Sequence, residues 1–360
     1  MKTGGLTGIS WEAFHALPLE EKRPYLERRG GRGEPFHTLF AQQFDRPLLE
    51  RLAALSNRIR FLSKSKDGAL WLKSLLCHKR AMLYFSQPSS RTFLSHLAAC
   101  QILGLTTGSV RDTSISSEFK GESKEDSIRT FSSYFDMIIM RTPEQGLAEK
   151  MSWELSNSER PVPILNAGSG KDQHPTQALL DIYTLLRSFE TKGGLHDRTV
   201  VFCGDLLRGR TVHSLSYLLT NFPRIKQVFV APPQLQADES TFAALRAKGV
   251  EFEVSDDLRS VVPLADAVYM TRIQDEWDAA KGDSAKIDTS RFKFGAEELA
   301  LLPENGIIMH PLPRRDEIAV CCDHDPRAMY WRQMRNGMWI RAALIATTFG
   351  FEDEILARPL

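Results

Sequence analysis

Short apolar runs recur along this chain, and most lead into a polar, hydroxyl-bearing or cationic segment. Ala81 to Phe85, Met137 to Met140, Thr199 to Cys203, Val228 to Ala231, Ala267 to Met270 and Ile307 to Met309 are such runs. Each is too short for a helix and lacks a polar face, as a strand covered on both sides does. Helical patterns lie between them. One starts at Pro175, with Leu179, Ile182 and Leu186 spaced for a buried face. The last, expected over Pro326 to Thr348, has Met329, Met334, Met338, Ala342 and Ile345 near helical spacing. This alternation predicts an α/β fold of doubly wound parallel sheets with helices on both faces.

A chain of 360 residues is too long for one ordinary core and fits two domains. The first is expected over residues 36–189 with 327–360 and the second over 190–326, joined by interdomain helices. Residues 1–35 stand apart. They are charged, end in Arg28-Arg29-Gly30-Gly31-Arg32-Gly33, and read as a mobile N-terminal arm. Within that arm Ser10 is placed to cap a short helix and Pro18 to open another.

Charge narrows the partners. Lys and Arg number 46 against 45 Asp and Glu, a net charge of +1, so general nucleic-acid binding is not expected. Anions must instead be met by local clustering of cations. No segment has the apolar length that spans a bilayer, so no membrane is expected as a partner. Cysteines 77, 100, 203, 321 and 322 are too few and too oddly placed for a disulfide framework. With no apolar leader after Met1, they make the cytoplasm the expected location.

In open parallel sheets ligands bind beyond the carboxyl ends of the strands. Tyr84-Phe85 leads into Ser86-Gln87-Pro88-Ser89-Ser90-Arg91-Thr92, and Ile139-Met140 leads into Arg141. Val201-Phe202-Cys203 leads into Gly204-Asp205 and then Arg208-Gly209-Arg210-Thr211. Tyr269-Met270 leads into Thr271-Arg272-Ile273-Gln274, and Ile308-Met309 into His310-Pro311-Leu312-Pro313-Arg314. Cations and hydroxyls thus collect at one edge of each expected sheet, which suits small anionic substrates. At Ser89 to Thr92 a helix start would add free N–H groups and a positive dipole end to three hydroxyls and a guanidinium. The same tetrapeptide alone also reads as a plain N-cap. Two other motifs carry less. Gly204 to Thr211 resembles a phosphate loop but has Arg210 where the essential lysine belongs. Cys321-Cys322-Asp323-His324-Asp325 lacks the paired spacing of a structural zinc site, so no metal is expected.

The motifs in register resemble the aspartate and ornithine carbamoyltransferase family, from about His37 to Thr348. They comprise Ser89-Ser90-Arg91-Thr92, Lys120-Gly121-Glu122, Met140-Arg141-Thr142-Pro143 and His174-Pro175-Thr176-Gln177-Ala178-Leu179-Leu180-Asp181. Gly204-Asp205 with Gly209-Arg210-Thr211-Val212-His213-Ser214, Tyr269 to Gln274 and His310 to Arg314 complete the set. Ornithine-type members carry His-Cys-Leu-Pro where this chain has His310-Pro311-Leu312-Pro313. Arg210 and Arg272 match the two carboxylates of aspartate, so the resemblance points to the aspartate branch. The alternatives are transfer to another amino acid, such as an ornithine derivative, and a non-catalytic ligand-binding relative.

The resemblance implies the carbamoyltransferase fold and two substrates, carbamoyl phosphate and L-aspartate, which together bring about four negative charges to one site. Ser89, Ser90, Arg91 and Thr92 are expected to hold the phosphate. Arg141, His174 and Thr92 would point at the carbamoyl oxygen, and Arg91, Thr92, Arg141 and His174 would carry the catalysis. Gln177 and the backbone carbonyls of Pro311 and Leu312 would take the carbamoyl amide. Arg210, Arg272 and Gln274 would orient aspartate. Ser116 and Lys120 match residues that reach into a neighbouring subunit's site, Lys120 meeting both substrates, which implies a homotrimer with shared sites. A larger assembly with regulatory or pathway chains stays open. No metal or cofactor is implied. Asp205 is expected to hold a loop or an arginine, and His213 to be structural. The chain departs from the family at Ser90, Phe93, Gln87 and Trp277. The last two remove both ends of an ionic link associated with domain closure.

Overall fold

The computed structural model describes residues 5–111, 121–170, 173–275, 278 and 282–359. It separates into two compact units, Met1–Leu179 with Gly337–Leu360, and Leu180–Asn336.

In the first unit four parallel strands, β1 (Arg80–Phe85), β2 (Thr106–Val110), β3 (Met137–Thr142) and β4 (Ile164–Ser169), stand in the order β2-β1-β3-β4. β1, β3 and β4 are buried almost throughout, as apolar strands under helices on both faces must be. The helices here are α1 (Trp11–Ala16), α2 (Arg23–Leu26), α3 (Arg46–Leu62), α4 (Lys66–Leu75), α5 (Ser90–Leu103), α6 (Lys124–Tyr134) and α7 (Leu147–Ser156). α3 shows how sequence builds one. The Asp45 carboxylate accepts from Leu48 N–H at 2.9 Å to start it, and Leu48, Leu52, Leu55, Ile59 and Leu62 then fall on one buried face.

The N-terminal stretch is not a mobile arm over its described part. Ser10 caps α1, accepting from Ala13 N–H at 3.2 Å, and Pro18 precedes a short 3-10 turn. Leu6, Phe14 and Leu26 are fully buried in the same core as Met82, Tyr84, Ile138 and Met140. The charged composition had masked a few apolar anchors, and burying large apolar side chains stabilises by roughly 1.5–3 kcal/mol each.

In the second unit β5 (Thr199–Cys203), β6 (Lys226–Val230), β7 (Phe252–Ser255), β8 (Ala267–Met270) and β9 (Ile307–Met309) form a parallel sheet in the order β7-β6-β5-β8-β9. α9 (Arg210–Leu219), α10 (Glu239–Ala247), α11 (Leu258–Val261) and α12 (Ala296–Leu301) belong to this unit, α8 (Pro175–Phe189) and α13 (Tyr330–Phe349) run from one unit into the other, and α14 (Glu352–Ala357) belongs to the first. α13 begins at Tyr330, later than the expected Pro326. The chain first runs beside β9, where Ile308 N–H donates to Arg327 O at 2.9 Å and Met329 N–H to Ile308 O at 2.8 Å. The two units divide inside α8 and α13, where an unbroken helix gives no sequence sign of a boundary. This differs from the expected limits of 190 and 326. No described helix is long and apolar enough to cross a membrane.

Both sheets reverse their winding once. β1 is flanked by β2 and β3, and β5 by β6 and β8. A crevice therefore opens at the carboxyl ends of β1 and β3 in one unit and of β5 and β8 in the other.

Candidate active site

In the first unit, β1 and β3 lie side by side with Phe85 opposite Arg141. The chain leaving β1 is tied to β3 there, since Gln87 N–H donates to Arg141 O at 3.3 Å and Ser86 Oγ–H to the same oxygen at 3.4 Å. It then enters α5 with Ser89 at the N-cap position. Ser89 makes no side-chain capping bond, so its hydroxyl is not spent on the helix as a plain cap would be. Ser90 and Arg91 are exposed beside it, and Thr92 is buried. The first turn of a fourteen-residue helix thus presents its N–H groups together with these side chains.

Arg141 is buried at the end of β3 and donates from Nη1 to Ala167 O at 3.2 Å. His174 is also buried. Its carbonyl accepts from Gln177 and Ala178 N–H at 2.9 and 3.2 Å, which makes it the residue that opens α8 and sets Gln177 one turn on. The two meet over Gly168. A Cβ there would lie 2.5 Å from Arg141 Nη1 and 3.3 Å from His174 Cδ2, and Gly168 has φ +120°. Only glycine lets the backbone pass so close at that conformation. Asn166 Oδ1 holds the turn by accepting from Gly168 N–H at 2.8 Å.

Behind these residues Arg341 of α13 donates to Ser95 Oγ at 2.7 Å and to Thr176 Oγ1 at 3.4 Å. It links the helix behind Ser89 to Thr92 with the turn behind His174. His96 lies fully buried in the same region, with its Nδ1 2.8 Å from Thr92 O. Burial, then the positive charge of Arg341, push its pKa well below the ordinary histidine value. It stays neutral, adding no charge where Arg91 and Arg141 already supply it.

In the second unit β5 and β8 approach so closely that a Cβ on Gly204 would lie 2.1 Å from Thr271 O. Asp205 follows, fully buried. One of its oxygens accepts from Arg208 N–H at 3.2 Å and the other from Gln274 N–H at 3.0 Å. Its guanidinium partner is Arg208, at 2.8 Å. Burial raises the Asp205 pKa, against the pull of these donors. Asp205 therefore holds both a loop and an arginine, as expected from the sequence. Arg210 opens α9, and Arg272 and Gln274 follow β8. β5 and β8 are the neighbouring strands between which the winding of this sheet reverses. Arg272 donates from Nη1 to Ile273 O at 2.8 Å and lies 3.8 Å from Asp275. His213 Nε2 sits 2.9 Å from Leu206 O, a structural contact.

Pro311 and Leu312 follow β9 on a loop shaped by His310. Leu312 N–H donates to His310 Nδ1 at 2.7 Å, so the proton is on Nε2, which donates to Glu317 Oε1 at 2.6 Å. Leu312 itself has φ +53°, and its peptide bond to Pro313 is cis. Ser116, Lys120 and Trp277 lie outside the described residues. Among the described residues no three His, Cys, Asp or Glu side chains group to hold a metal ion.

Sequence reasoning missed Gly168, Arg341, Arg208 and Glu317 as supports. Only Gly168, in Asn166-Ala167-Gly168-Ser169 at a strand end, carried a local signal. Arg341 and Arg208 reach Ser95 and Asp278, which are distant in sequence, and Glu317 meets His310 only because the loop after β9 turns back on itself.

Residues 37–187 match the carbamoyl phosphate-binding domain of aspartate/ornithine carbamoyltransferases, and residues 196–348 match the aspartate/ornithine-binding domain. The chain is 40% identical over 310 residues to the chloroplastic aspartate carbamoyltransferase of Oryza sativa, covering 85% of this chain and 82% of that one. It is 41% identical over 278 residues to the aspartate carbamoyltransferase catalytic subunit of Vibrio cholerae, covering 76% and 85%. Its structure is similar to that of Trypanosoma cruzi aspartate transcarbamoylase in complex with N-(phosphonacetyl)-L-aspartic acid. The TM-score is 0.78 and the identity 35%, over 90% of this chain and 98% of that one.

Proposed function

The chain belongs to the aspartate/ornithine carbamoyltransferase family, and we propose how its residues divide the work of the aspartate reaction. It transfers the carbamoyl group of carbamoyl phosphate to the amino group of L-aspartate, giving N-carbamoyl-L-aspartate and phosphate. One observation carries the choice of acceptor: two guanidiniums, Arg210 after β5 and Arg272 after the neighbouring β8, stand at strand ends where a substrate with two carboxylates needs partners.

Ser89, Ser90, Arg91 and Thr92 bind the phosphate at the start of α5. Arg141 and His174, with Thr92, point at the carbamoyl oxygen. They stabilise the negative charge that gathers there when the amine adds, as oxyanion-hole donors do. Gln177 and the carbonyls of Pro311 and Leu312 take the carbamoyl amide. Arg210, Arg272 and Gln274 grip the two carboxylates of aspartate and aim its uncharged amine, and much of the rate comes from that positioning. The amine forms the C–N bond, phosphate leaves with the C–O bonding pair, and the amine proton passes to the departing phosphate. The set works without a metal or cofactor.

Ser116 and Lys120 enter the neighbouring subunit's site of a homotrimer, Lys120 meeting both substrates. A flexible lysine stem suits such a crossing, and closed threefold symmetry gives every site one donated loop. Free thiols at all five cysteines support a reducing compartment, and we place the enzyme in the cytoplasm as a step of pyrimidine biosynthesis.

The test is transfer from radiolabelled carbamoyl phosphate to aspartate, ornithine and acetylornithine under equal, saturating conditions. Aspartate should be carbamoylated fastest. Faster turnover of either ornithine compound would overturn the acceptor assignment.

A further inference from the structure

Arg208 is the one cation of the Gly204 to Thr211 turn that the roles above leave without a task. It does not face outward. Its side chain is 16% exposed and meets three acceptors: Asp205 Oδ2 at 2.8 Å, Asp278 Oδ1 at 2.7 Å and Ser284 Oγ at 2.9 Å. Asp278 is 4% exposed and also accepts from Ser284 N–H at 3.1 Å. Asp205 is fully buried and accepts from Gln274 N–H at 3.0 Å. The chain therefore touches this cluster at Gln274 and returns to it at Asp278 and Ser284. Both returns are held by one guanidinium placed between two carboxylates.

The electrostatics follow from that placement. With Arg208 present, the pair of carboxylates and the guanidinium carry one net negative charge. Without it, Asp205 and Asp278 would be two like charges around one gap, one of them fully buried, and would push the chain at Gln274, Asp278 and Ser284 away from β5. Arg272 and Gln274 lie at or beside the first of these points. Extra negative charge there would also oppose a substrate with two carboxylates.

We propose that Arg208, paired with Asp278, is a positioning residue for the acceptor site, holding Arg272 and Gln274 where aspartate needs them while binding no substrate itself. The inference rests on aspartate being the acceptor. Lysine would keep the charge but not the planar fork that serves three acceptors at once.

The experiment measures aspartate half-saturation, kcat and, by calorimetry, carbamoyl phosphate affinity in the full-length protein and in Arg208→Gln, Arg208→Lys, Asp278→Asn and the double variant Arg208→Gln/Asp278→Asn. Arg208→Gln should raise aspartate half-saturation by about tenfold or more, with carbamoyl phosphate affinity within about twofold. Arg208→Lys should fall between. The double variant, having lost one of the two repelling carboxylates, should bind aspartate better than Arg208→Gln alone. An unchanged half-saturation in Arg208→Gln, an equal loss of carbamoyl phosphate affinity, or a double variant worse than either single one overturns the proposal. If Arg208→Gln shows no cooperative unfolding transition, Asp278→Asn decides alone: no rise in its aspartate half-saturation rejects the pairing. Failure of the unaltered protein to use aspartate would instead reject the acceptor assignment.

Discussion

Lys22, ahead of the first strand, donates a 2.5 Å hydrogen bond to Glu149 on α7, and their side chains are only 3% and 8% exposed. The ammonium also donates to His15 O at 3.0 Å and lies over the rings of Phe14 and Phe40. A buried ion pair gives little net stability, yet losing one partner strands the other's charge, at a cost of about 3–5 kcal/mol. Lys22→Met should therefore lower the calorimetric melting temperature sharply, and Lys22→Met/Glu149→Leu should recover most of the loss. A single variant that melts with the native protein would mean that this pair does not hold the N-terminal segment.

His37 supplies a pH dependence. It is fully buried, takes Ile164 N–H on Nδ1 at 3.0 Å and sits 2.8 Å from Ser156 Oγ through Nε2. Burial lowers its pKa from 6.5 to about 3. The folded protein then keeps it neutral while the unfolded chain protonates it below pH 6.5. Its contribution is complete above that pH and declines by roughly 1.4 kcal/mol per pH unit on the way down to about 3. Urea denaturation at pH 7.5, 6.5 and 5.5 should show a shallower acid loss for His37→Gln than for the native protein. Parallel slopes would assign the loss to other groups.

Gly168→Ala tests the turn beneath Arg141 and His174. The added methyl would meet Arg141 Nη1 at 2.5 Å, and displacing a donor from a developing oxyanion costs about 10²–10³ in kcat. Steady-state kinetics should show that fall, with aspartate half-saturation changed far less. Full activity in a folded Gly168→Ala protein would remove Arg141 from the carbamoyl oxygen.

The shared site can be tested by complementation. Lys120→Ala and His174→Ala chains should each be inactive. Dissociated, mixed and reassembled, they should regain activity, because some sites then combine Lys120 from one chain with His174 from another. Mixed trimers confirmed by native mass spectrometry but still inactive would place each site within a single chain.

Much of this protein was legible in its residues. The apolar runs at 81–85, 137–140, 199–203, 267–270 and 307–309 are all strands of the two sheets, because a strand buried on both faces must be apolar along its length. The strand-end residues Arg141, Arg272 and Gln274, and the helix starts at Ser89 and His174, were legible for the same local reason. β2, with the sequence TTGSV, and β7, with FEVS, were not. They are edge strands, part exposed, and pairing with β1 and β6 rather than their own composition makes them strands. The docking of Leu6, Phe14 and Leu26, the Lys22–Glu149 pair, the His310–Glu317 contact and the Arg208–Asp278 brace were equally hidden. Each joins residues whose meeting depends on how the chain folds back, and whether a buried charge is stabilised or stranded is decided by that partner. Local pattern determined which residues form strands and which stand at their ends; strand order and the pairing of buried charges exist only in the folded chain.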